Sequence, residues 1–269
     1  MRRSMLSIIT ALAVTLALVS PAGASGHLWF QGFETDTDGW LDLGSGTVHR
    51  EMSGYSNAGG YADGVDSATG DWHARLRTTQ SGGCAPPFAQ NTTCFGPFSG
   101  WGKATTANPT FPTGGYVTEA AVYLDTDWAD THNDWRFDFS SAINNSSGSH
   151  LRDFAFNAGT TAGGDWIVGS STNASRSSSF PSNPCPSPST PPNACRAPVT
   201  ITTSGWYTLQ HVFYDNGGVL SVDMSILDAS GAAVAAWTIH TADLMATVGG
   251  DRYGWFVNQE IHDLAIDDT

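Results

Sequence analysis

Apolar and polar residues alternate with a period of two in many short runs of this chain, and Gly, Asn and Asp separate the runs. The clearest run is 219–228, in which every second residue is apolar: Leu220, Val222, Met224 and Ile226. Successive side chains of a strand point to opposite faces, so this run predicts a half-buried antiparallel strand. A second strand is predicted from Trp206 to Asp215. The residues between them, 215–218 (Asp-Asn-Gly-Gly), supply the positive φ angles of a tight hairpin.

The same alternation predicts further strands along the rest of the chain. They are Leu28 to Glu34, Thr47 to Met52, Trp72 to Thr78, Tyr116 to Asp125, Trp135 to Ser140, Leu151 to Asn157, Asp165 to Ser170, Val234 to His240, Tyr253 to Asn258 and His262 to Asp267. Only one short helix or helical turn is predicted, from Thr241 to Thr247, with Thr241 as its N-cap. No helix is long enough for a crossover between parallel strands, so the pattern favours an all-β, two-sheet antiparallel sandwich of jelly-roll topology.

Two long segments, Gln80 to Thr113 and Ser170 to Pro198, show no strand pattern. Each contains one pair of cysteines: Cys84 with Cys94, and Cys185 with Cys195. Pairing within each segment is the simplest of the three possible connectivities, and the spacing does not match that of zinc ligands. Long loops in a compact domain tend to be functional, so we expect two disulfide-closed loops that form one rim of the sandwich.

The start of the chain has the pattern of a signal peptide. Arg2 and Arg3 precede an apolar run from Met5 through Val19, and Ala22 and Ala24 offer the small residues of a cleavage site. The apolar run is shorter than the roughly 20 residues that span a bilayer. We therefore expect residues 1–24 to be removed and residues 25–269 to form a single domain that is secreted, extracellular or periplasmic, without membrane insertion.

The net charge of the chain makes some classes of binding partner unfavourable. It has 25 acidic and 11 basic residues, which gives a formal net charge of −14. Nucleic acid and anionic membrane surfaces are poor partners for such a chain. Charged residues make up only 13% of it, so most of the polar surface is neutral, as is typical of exported β proteins.

Several strings carry a resemblance that spans nearly the whole chain after residue 24. They are GFETD at 32–36, LRDF at 151–154, GWYT at 205–208, NGGVLSVD at 216–223, GGDRYGWFVN at 249–258 and LAID at 264–267. They resemble a group of secreted bacterial proteins, mostly uncharacterised, with a jelly-roll domain of the concanavalin A-like lectin and glucanase kind. The resemblance implies carbohydrate binding or cleavage by analogy of fold, and it transfers no catalytic residue.

The aromatic residues suggest how such a protein would bind glycan. Ten Trp, seven Tyr and 13 Phe exceed what one sandwich core needs. A Trp ring stacks on the apolar face of a pyranose while nearby polar groups bond the hydroxyls. The candidates lie where aromatic and polar residues mix: Trp72, Trp101, Trp128 and Trp166. For each of them, an ordinary place in the core is the alternative.

Acidic residues near the two ends suggest a structural calcium ion. The first and last strands of a jelly roll often lie together, which would bring Glu34 or Asp36 close to Asp267 or Asp268. Calcium takes six to eight oxygen ligands in flexible geometry, and Asp-x-Asp spacing suits it. Turn-forming or capping Asp is the alternative for these residues.

Catalytic signatures are scarce. No G-x-S-x-G, phosphate-binding loop or H-E-x-x-H string occurs. Candidate residues for glycoside hydrolysis or lyase chemistry are Glu260, Glu119 and His211. The sequence thus favours a secreted protein that binds glycan or another cell-surface polymer. The alternatives are a polysaccharide-active enzyme of the same fold and a structural or adhesive surface protein.

Overall fold

The computed structural model describes residues 29–42, 46–78, 95–101, 110–133, 135–173, 198–257 and 259–269. The predicted signal peptide and the four cysteines lie outside these residues, so the cleavage and the disulfide pairing stay predictions. No helix in the described ranges is long and apolar enough to cross a membrane.

The described residues form fourteen strands and two short helical turns. In chain order these are β1 (Trp40–Leu41), β2 (Gly46–Met52), β3 (Trp72–Thr78), β4 (Phe95–Ser99), β5 (Tyr116–Leu124), α1 (Thr126–Ala129), β6 (Arg136–Asn145), β7 (His150–Thr160), β8 (Trp166–Thr172), β9 (Val199–Ile201), β10 (Gly205–Asp215), β11 (Val219–Leu227), β12 (Ala233–Leu244), a 3₁₀ turn (Met245–Thr247), β13 (Val248–Val257) and β14 (Leu264–Asp267). The all-β class predicted from the alternation is confirmed.

The strands form two antiparallel sheets of seven strands each within the described residues. Sheet I has the order β1-β4-β13-β6-β7-β8-β9, and sheet II has the order β12-β11-β10-β5-β14-β3-β2. The sheets pack face to face, as the sandwich prediction requires. Phe154 of sheet I meets Phe213 of sheet II edge to face, with ring centroids 5.4 Å apart.

The core lies between the two sheets and follows the predicted alternation. On β11 the four apolar side chains of the sequence pattern, at 220, 222, 224 and 226, are buried, and Ser221 is buried as well. The predicted hairpin is also confirmed, since β10 pairs with β11 from Thr208 opposite Leu227 to Asp215 opposite Leu220. In its turn the Asp215 carboxylate accepts a hydrogen bond from the Gly218 N–H at 2.6 Å.

The strand predicted from Leu28 to Glu34 is wrong for its described part. Gln31 exchanges two backbone hydrogen bonds with Thr269, but no strand forms. The Gln31 side chain accepts from the Phe33 N–H at 2.7 Å and donates to Asp36. Phe33 takes a positive φ of 57°. Local side-chain bonds therefore turn the chain away from an extended course.

Several strand limits also differ from the sequence prediction. The segment 80–113 was expected to hold no strand, yet β4 lies inside it and pairs with β1 and β13. Its pairing with β13 is irregular, as expected where a strand contains Pro.

The helix predicted from Thr241 to Thr247 is replaced by the end of β12 and a single 3₁₀ turn, because Leu244 still pairs with Val219. Cross-strand pairing overrides local propensity at both places. Strand β8 also runs two residues beyond its predicted end.

Candidate functional site

The loop that joins β2 to β3, residues 53–71, crosses the outer face of sheet II. It starts at the edge of the sheet, and its side chains and carbonyls reach β5 and β10 on the far side of β14. The Tyr61 hydroxyl donates to the Tyr123 carbonyl at 2.5 Å. The Trp206 indole N–H donates to the Asp66 carbonyl at 2.8 Å. The loop is therefore tied to the middle of the sheet.

A buried arginine fixes the tip of this loop. Arg75 on β3 has no exposed surface, and its guanidinium donates to the carbonyls of Tyr61 and Ala62, each at 3.0 Å. The same guanidinium pairs with Glu51 on β2. Because a planar guanidinium presents several donors in a fixed fork, it holds two strands and the loop in one geometry.

Asp125 joins the loop to the short helix α1. One carboxylate oxygen accepts from the Trp128 N–H at 2.9 Å and caps the helix. The other oxygen accepts from the Ala62 N–H, also at 2.9 Å. A single carboxylate thus satisfies an N-terminal donor of α1 and positions the loop beside it.

A cleft of about 700 Å³ opens between the loop, the β5–α1 connection and the start of β10. We call it the aromatic cleft. Its aromatic and acidic lining residues are Tyr123, Trp128, His132, Trp206, Asp63, Asp66, Asp125 and Asp127. This volume is in the range of small-molecule sites.

The rings of the aromatic cleft hold one another in place. Tyr123 and Trp206 pack edge to face with centroids 5.4 Å apart. Trp128 stacks on His132 at 3.8 Å and meets Tyr61 edge to face at 5.0 Å. The lining rings of Tyr123, Trp128 and Trp206 are half-buried. They offer ring surface that is already fixed in position, which lowers the entropy lost when a ligand binds.

The cleft carries negative charge. Burial raises the pKa of Tyr123, and the carboxylates of Asp125 and Asp127 raise this pKa further. Among the described residues, no lysine or arginine lines the cleft.

The four predicted ligand-binding tryptophans have different places. Trp128 lines the cleft. Trp101 and Trp166 are buried in the core, at 5% and 0% exposure, so their rings are closed to a ligand. Trp166 nevertheless supports the cleft, since its indole N–H donates to the Asp125 carbonyl at 3.1 Å. Trp72 lies outside the cleft with the Arg50 guanidinium 4.1 Å from its ring centroid.

Two cleft aromatics were missed by sequence reasoning. Tyr123 and Trp206 were counted only as strand residues, but they are direct partners across β5 and β10. Both therefore point from the same outer face of sheet II. The alternation within each strand places them outward, but the pairing of these strands, which are distant in sequence, is not visible in one sequence.

The predicted metal residues meet the return leg of the same loop. The Asp267 carboxylate accepts from the Ala68 and Thr69 N–H groups, at 3.0 and 3.3 Å. Asp268 accepts from the Thr69 hydroxyl at 2.8 Å, and Glu34 accepts from the Asp71 and Trp72 N–H groups. We call Glu34, Asp267 and Asp268 the anchor cluster. Asp36 instead accepts from Gln31 and the Asp38 N–H.

The segment 31–36 and the last residues of the chain do approach each other, as the calcium hypothesis required, since Gln31 and Thr269 exchange backbone hydrogen bonds. However, N–H and O–H donors already occupy oxygens of these carboxylates. Within the described residues, no group of three or more His, Cys, Asp or Glu side chains is arranged to hold a metal ion.

The three catalytic candidates lie apart. His211 is fully buried in the core, where its Nε2 lies 3.0 Å from the Phe154 carbonyl and burial lowers its pKa to about 3. Glu119 lies opposite Gln210 and accepts from its amide at 3.0 Å. Adjacent strand residues point to opposite faces, so His211 and Glu119 lie on opposite sides of sheet II.

Glu260 is buried and paired. Its carboxylate accepts from the Arg136 guanidinium and from the Arg136 N–H, both at 3.0 Å. Burial raises the pKa of Glu260 to about 8, although Arg136 opposes this shift. The arrangement is that of a structural ion pair.

Comparison with known proteins gives little. No protein-family model and no curated protein matches the sequence. One solved structure with a similar backbone fold is the CBM2 module of the evolved Dit of Lactobacillus casei BL23 phage J-1. It is 11% identical, with a TM-score of 0.44, and the match covers 89% of this chain and 92% of that chain. At this identity and TM-score the likeness carries no functional information about this chain.

Proposed function

We propose that this protein is a secreted carbohydrate-binding β-sandwich that holds a glycan or another cell-surface polymer in the aromatic cleft. One observation carries the proposal: the half-buried rings of Tyr123, Trp128 and Trp206 line one cleft together with exposed carboxylates. Flat ring faces suit pyranose C–H faces, and the carboxylates suit hydroxyl groups.

The finer fold assignment, a jelly roll of the concanavalin A-like kind, belongs to the same proposal. It is supported by the way the chain passes between the sheets. Strands β3 and β4 lie in different sheets, and β14 and β13 return beside them as antiparallel partners. Such wrapping of one paired ribbon across both sheets is what a jelly roll requires.

Secretion and calcium are further parts of the proposal. Secretion is supported by the signal-peptide pattern of residues 1–24. A structural calcium ion at Glu34, Asp36, Asp267 and Asp268 would raise the melting temperature in calcium over that in chelator. An unchanged melting temperature would remove calcium from the proposal.

The test of glycan binding is retention of the mature protein on insoluble polysaccharides, followed by calorimetry with soluble oligomers. We expect Trp206→Ala to weaken binding about tenfold, because a stacked ring is worth about 0.5–1.5 kcal/mol beyond its buried area. Trp72→Ala is the matched control, since Trp72 is half-buried but lies outside the cleft. Circular dichroism checks that both variants fold.

The same retention assay distinguishes a binding protein from an enzyme and from a structural protein. Released reducing or unsaturated sugar would favour a polysaccharide-active enzyme. If the protein is not retained on any polysaccharide and releases no product, both carbohydrate functions are contradicted and a structural or adhesive role is left.

A further inference from the structure

The aromatic cleft receives carboxylates from both of its walls. The loop contributes Asp63 and Asp66, and the β5–α1 connection contributes Asp125 and Asp127. These four side chains line the same cleft as rings whose faces are themselves electron-rich. The combination of rings and carboxylates is a more specific chemical environment than either would be alone.

Only part of this charge is used within the protein. Asp125 accepts from two backbone N–H groups, and Asp63 accepts from the Asn57 and Gly59 N–H groups at 2.7 and 2.9 Å. Asp66 is exposed and has one long contact, 3.4 Å from the Ser53 hydroxyl. Asp127 is exposed and receives no hydrogen bond from the described residues. Asp66 and Asp127 therefore remain open to a ligand.

Among the described residues, no lysine or arginine lines the cleft, and the one basic side chain in its lining is the imidazole of His132, which stacks on Trp128. Arg75 acts electrostatically on Asp63. It is fully buried, however, and its guanidinium is bonded to Glu51 and to backbone carbonyls, including that of Asp263 at 3.2 Å. Burial raises the pKa of Tyr123, and the carboxylates of Asp125 and Asp127 add to this rise.

We propose that the aromatic cleft selects glycans that carry free amino groups, such as β-linked glucosamine polymers, over neutral glycans, and that it disfavours uronates. This inference rests on the proposed glycan-binding function and names the ligand class of the same site. A sugar ammonium group gains from both the ring faces and the open carboxylates, whereas a uronate carboxylate meets repulsion from Asp66 and Asp127. The hydroxyl and C–H faces are shared by all three classes, so charge decides among them.

The test compares β-1,4-linked oligomers of equal length by calorimetry. The probes are glucosamine oligomers, N-acetylglucosamine oligomers, cello-oligomers and glucuronate oligomers, at a mildly acidic pH at which the amines are charged. We expect the glucosamine oligomer to bind most tightly, the two neutral oligomers to bind more weakly, and the glucuronate oligomer to bind least. Added salt should reduce the differences, because the cleft is open to solvent.

Single-charge variants separate the cleft from the net charge of the chain. Asp66→Asn and Asp127→Asn should each reduce the preference for glucosamine over cello-oligomers about two- to fivefold, as expected for exposed charge pairs. Their affinity for the cello-oligomer should fall less than their affinity for the glucosamine oligomer, because an amide still bonds hydroxyl groups but carries no charge. Asp38→Asn is the control, since Asp38 is exposed and lies outside the cleft.

Each outcome bears on a different claim. Equal affinity for charged and neutral oligomers would overturn the selectivity while leaving glycan binding intact. If Asp38→Asn lowers the preference as much as the cleft variants do, the attraction comes from the overall charge of −14 and the proposal is overturned. If no oligomer binds, glycan binding itself fails.

Discussion

Two groups of carboxylates meet the loop 53–71, and they are used in opposite ways. In the anchor cluster, Glu34, Asp267 and Asp268 accept hydrogen bonds from the segment 68–72. In the aromatic cleft, Asp66 and Asp127 stand exposed beside rings. The difference arises from what faces each group: N–H and hydroxyl donors in the first case and open space in the second. The same residue type therefore holds the loop at one place and remains available to a ligand at the other.

Two carboxylates of the anchor cluster have raised pKa values. Asp267 is fully buried, and burial, followed by the neighbouring Asp268 carboxylate, raises its pKa to about 7. Burial likewise raises the pKa of Asp268. Negative charge is thus costly at Asp267 and Asp268, whereas Asp66 and Asp127 are exposed to solvent, and this contrast can be tested by substitution.

The largest effect is expected for Arg75→Met, which removes the cation that holds the loop tip. Loss of one partner from a buried ion pair leaves the other charge uncompensated, and this costs about 3–5 kcal/mol. We expect the free energy of unfolding, measured by urea unfolding, to fall by that amount. Glycan binding should weaken as well, because the loop forms one wall of the cleft.

The double variant Arg75→Met/Glu51→Leu is the control. It removes both charges, so it should be more stable than Arg75→Met alone. If the double variant is less stable than either single variant, the pair does not act through burial of an unpaired charge.

The next largest effect is a pH dependence from Asp267. Its folded pKa of about 7 lies well above the usual value of 3.8 for an aspartate side chain. The stabilisation from this group is therefore full below about pH 4 and is lost as the pH rises through about 7. The loss amounts to about 2–4 kcal/mol.

Asp267→Asn should abolish this component. The difference in unfolding free energy between wild type and variant, measured across the pH range, isolates it from other titrating groups such as Glu260. Parallel curves for the two proteins would show that Asp267 does not titrate in this range.

A smaller effect is expected for Gly70→Ala, which tests the anchor side of the loop. Gly70 has a φ of +62°, and an added Cβ would lie 2.1 Å from a Glu34 carboxylate oxygen. Gly59, on the cleft side, has a φ of +85° with nothing within 4 Å of the added Cβ. Both substitutions share the backbone strain, so Gly70→Ala should be less stable than Gly59→Ala by about 1 kcal/mol, the worth of a disturbed hydrogen bond. Equal melting temperatures would mean that Glu34 moves aside without cost.

The smallest effect on stability is expected for Asp127→Asn. An exposed substitution of this kind changes the free energy of unfolding by no more than about 0.5 kcal/mol. A large loss of stability in thermal unfolding would show that Asp127 holds structure, as the anchor cluster does, and would end the contrast between the two groups.

Much of the fold could be predicted because strands carry their pattern locally. The hairpin of β10 and β11 has period-two alternation and turn residues within one stretch, and β3 was predicted with its observed limits. Strand β4 was missed because it exists through pairing with β1 and β13, which are distant in sequence.

The site was predictable only in part, for a similar reason. Trp128 was identified because polar residues surround it in the sequence. Trp206 and Tyr123 become neighbours only when β10 pairs with β5. Trp166 looked equally suitable in sequence, yet its indole faces the core and donates to Asp125. A mixture of aromatic and polar residues indicates that a site exists, whereas the strand pairing decides which rings form it.

The loop 53–71 has a consequence for how new specificities can arise. It leaves β2 and returns to β3, which pair with each other along their full length, and β2 is an edge strand of sheet II. One contiguous segment therefore supplies a whole wall of the aromatic cleft while both of its ends stay joined by the sheet. Exchange of this single segment, by recombination in nature or by grafting in the laboratory, would give a different cleft on an unchanged sandwich.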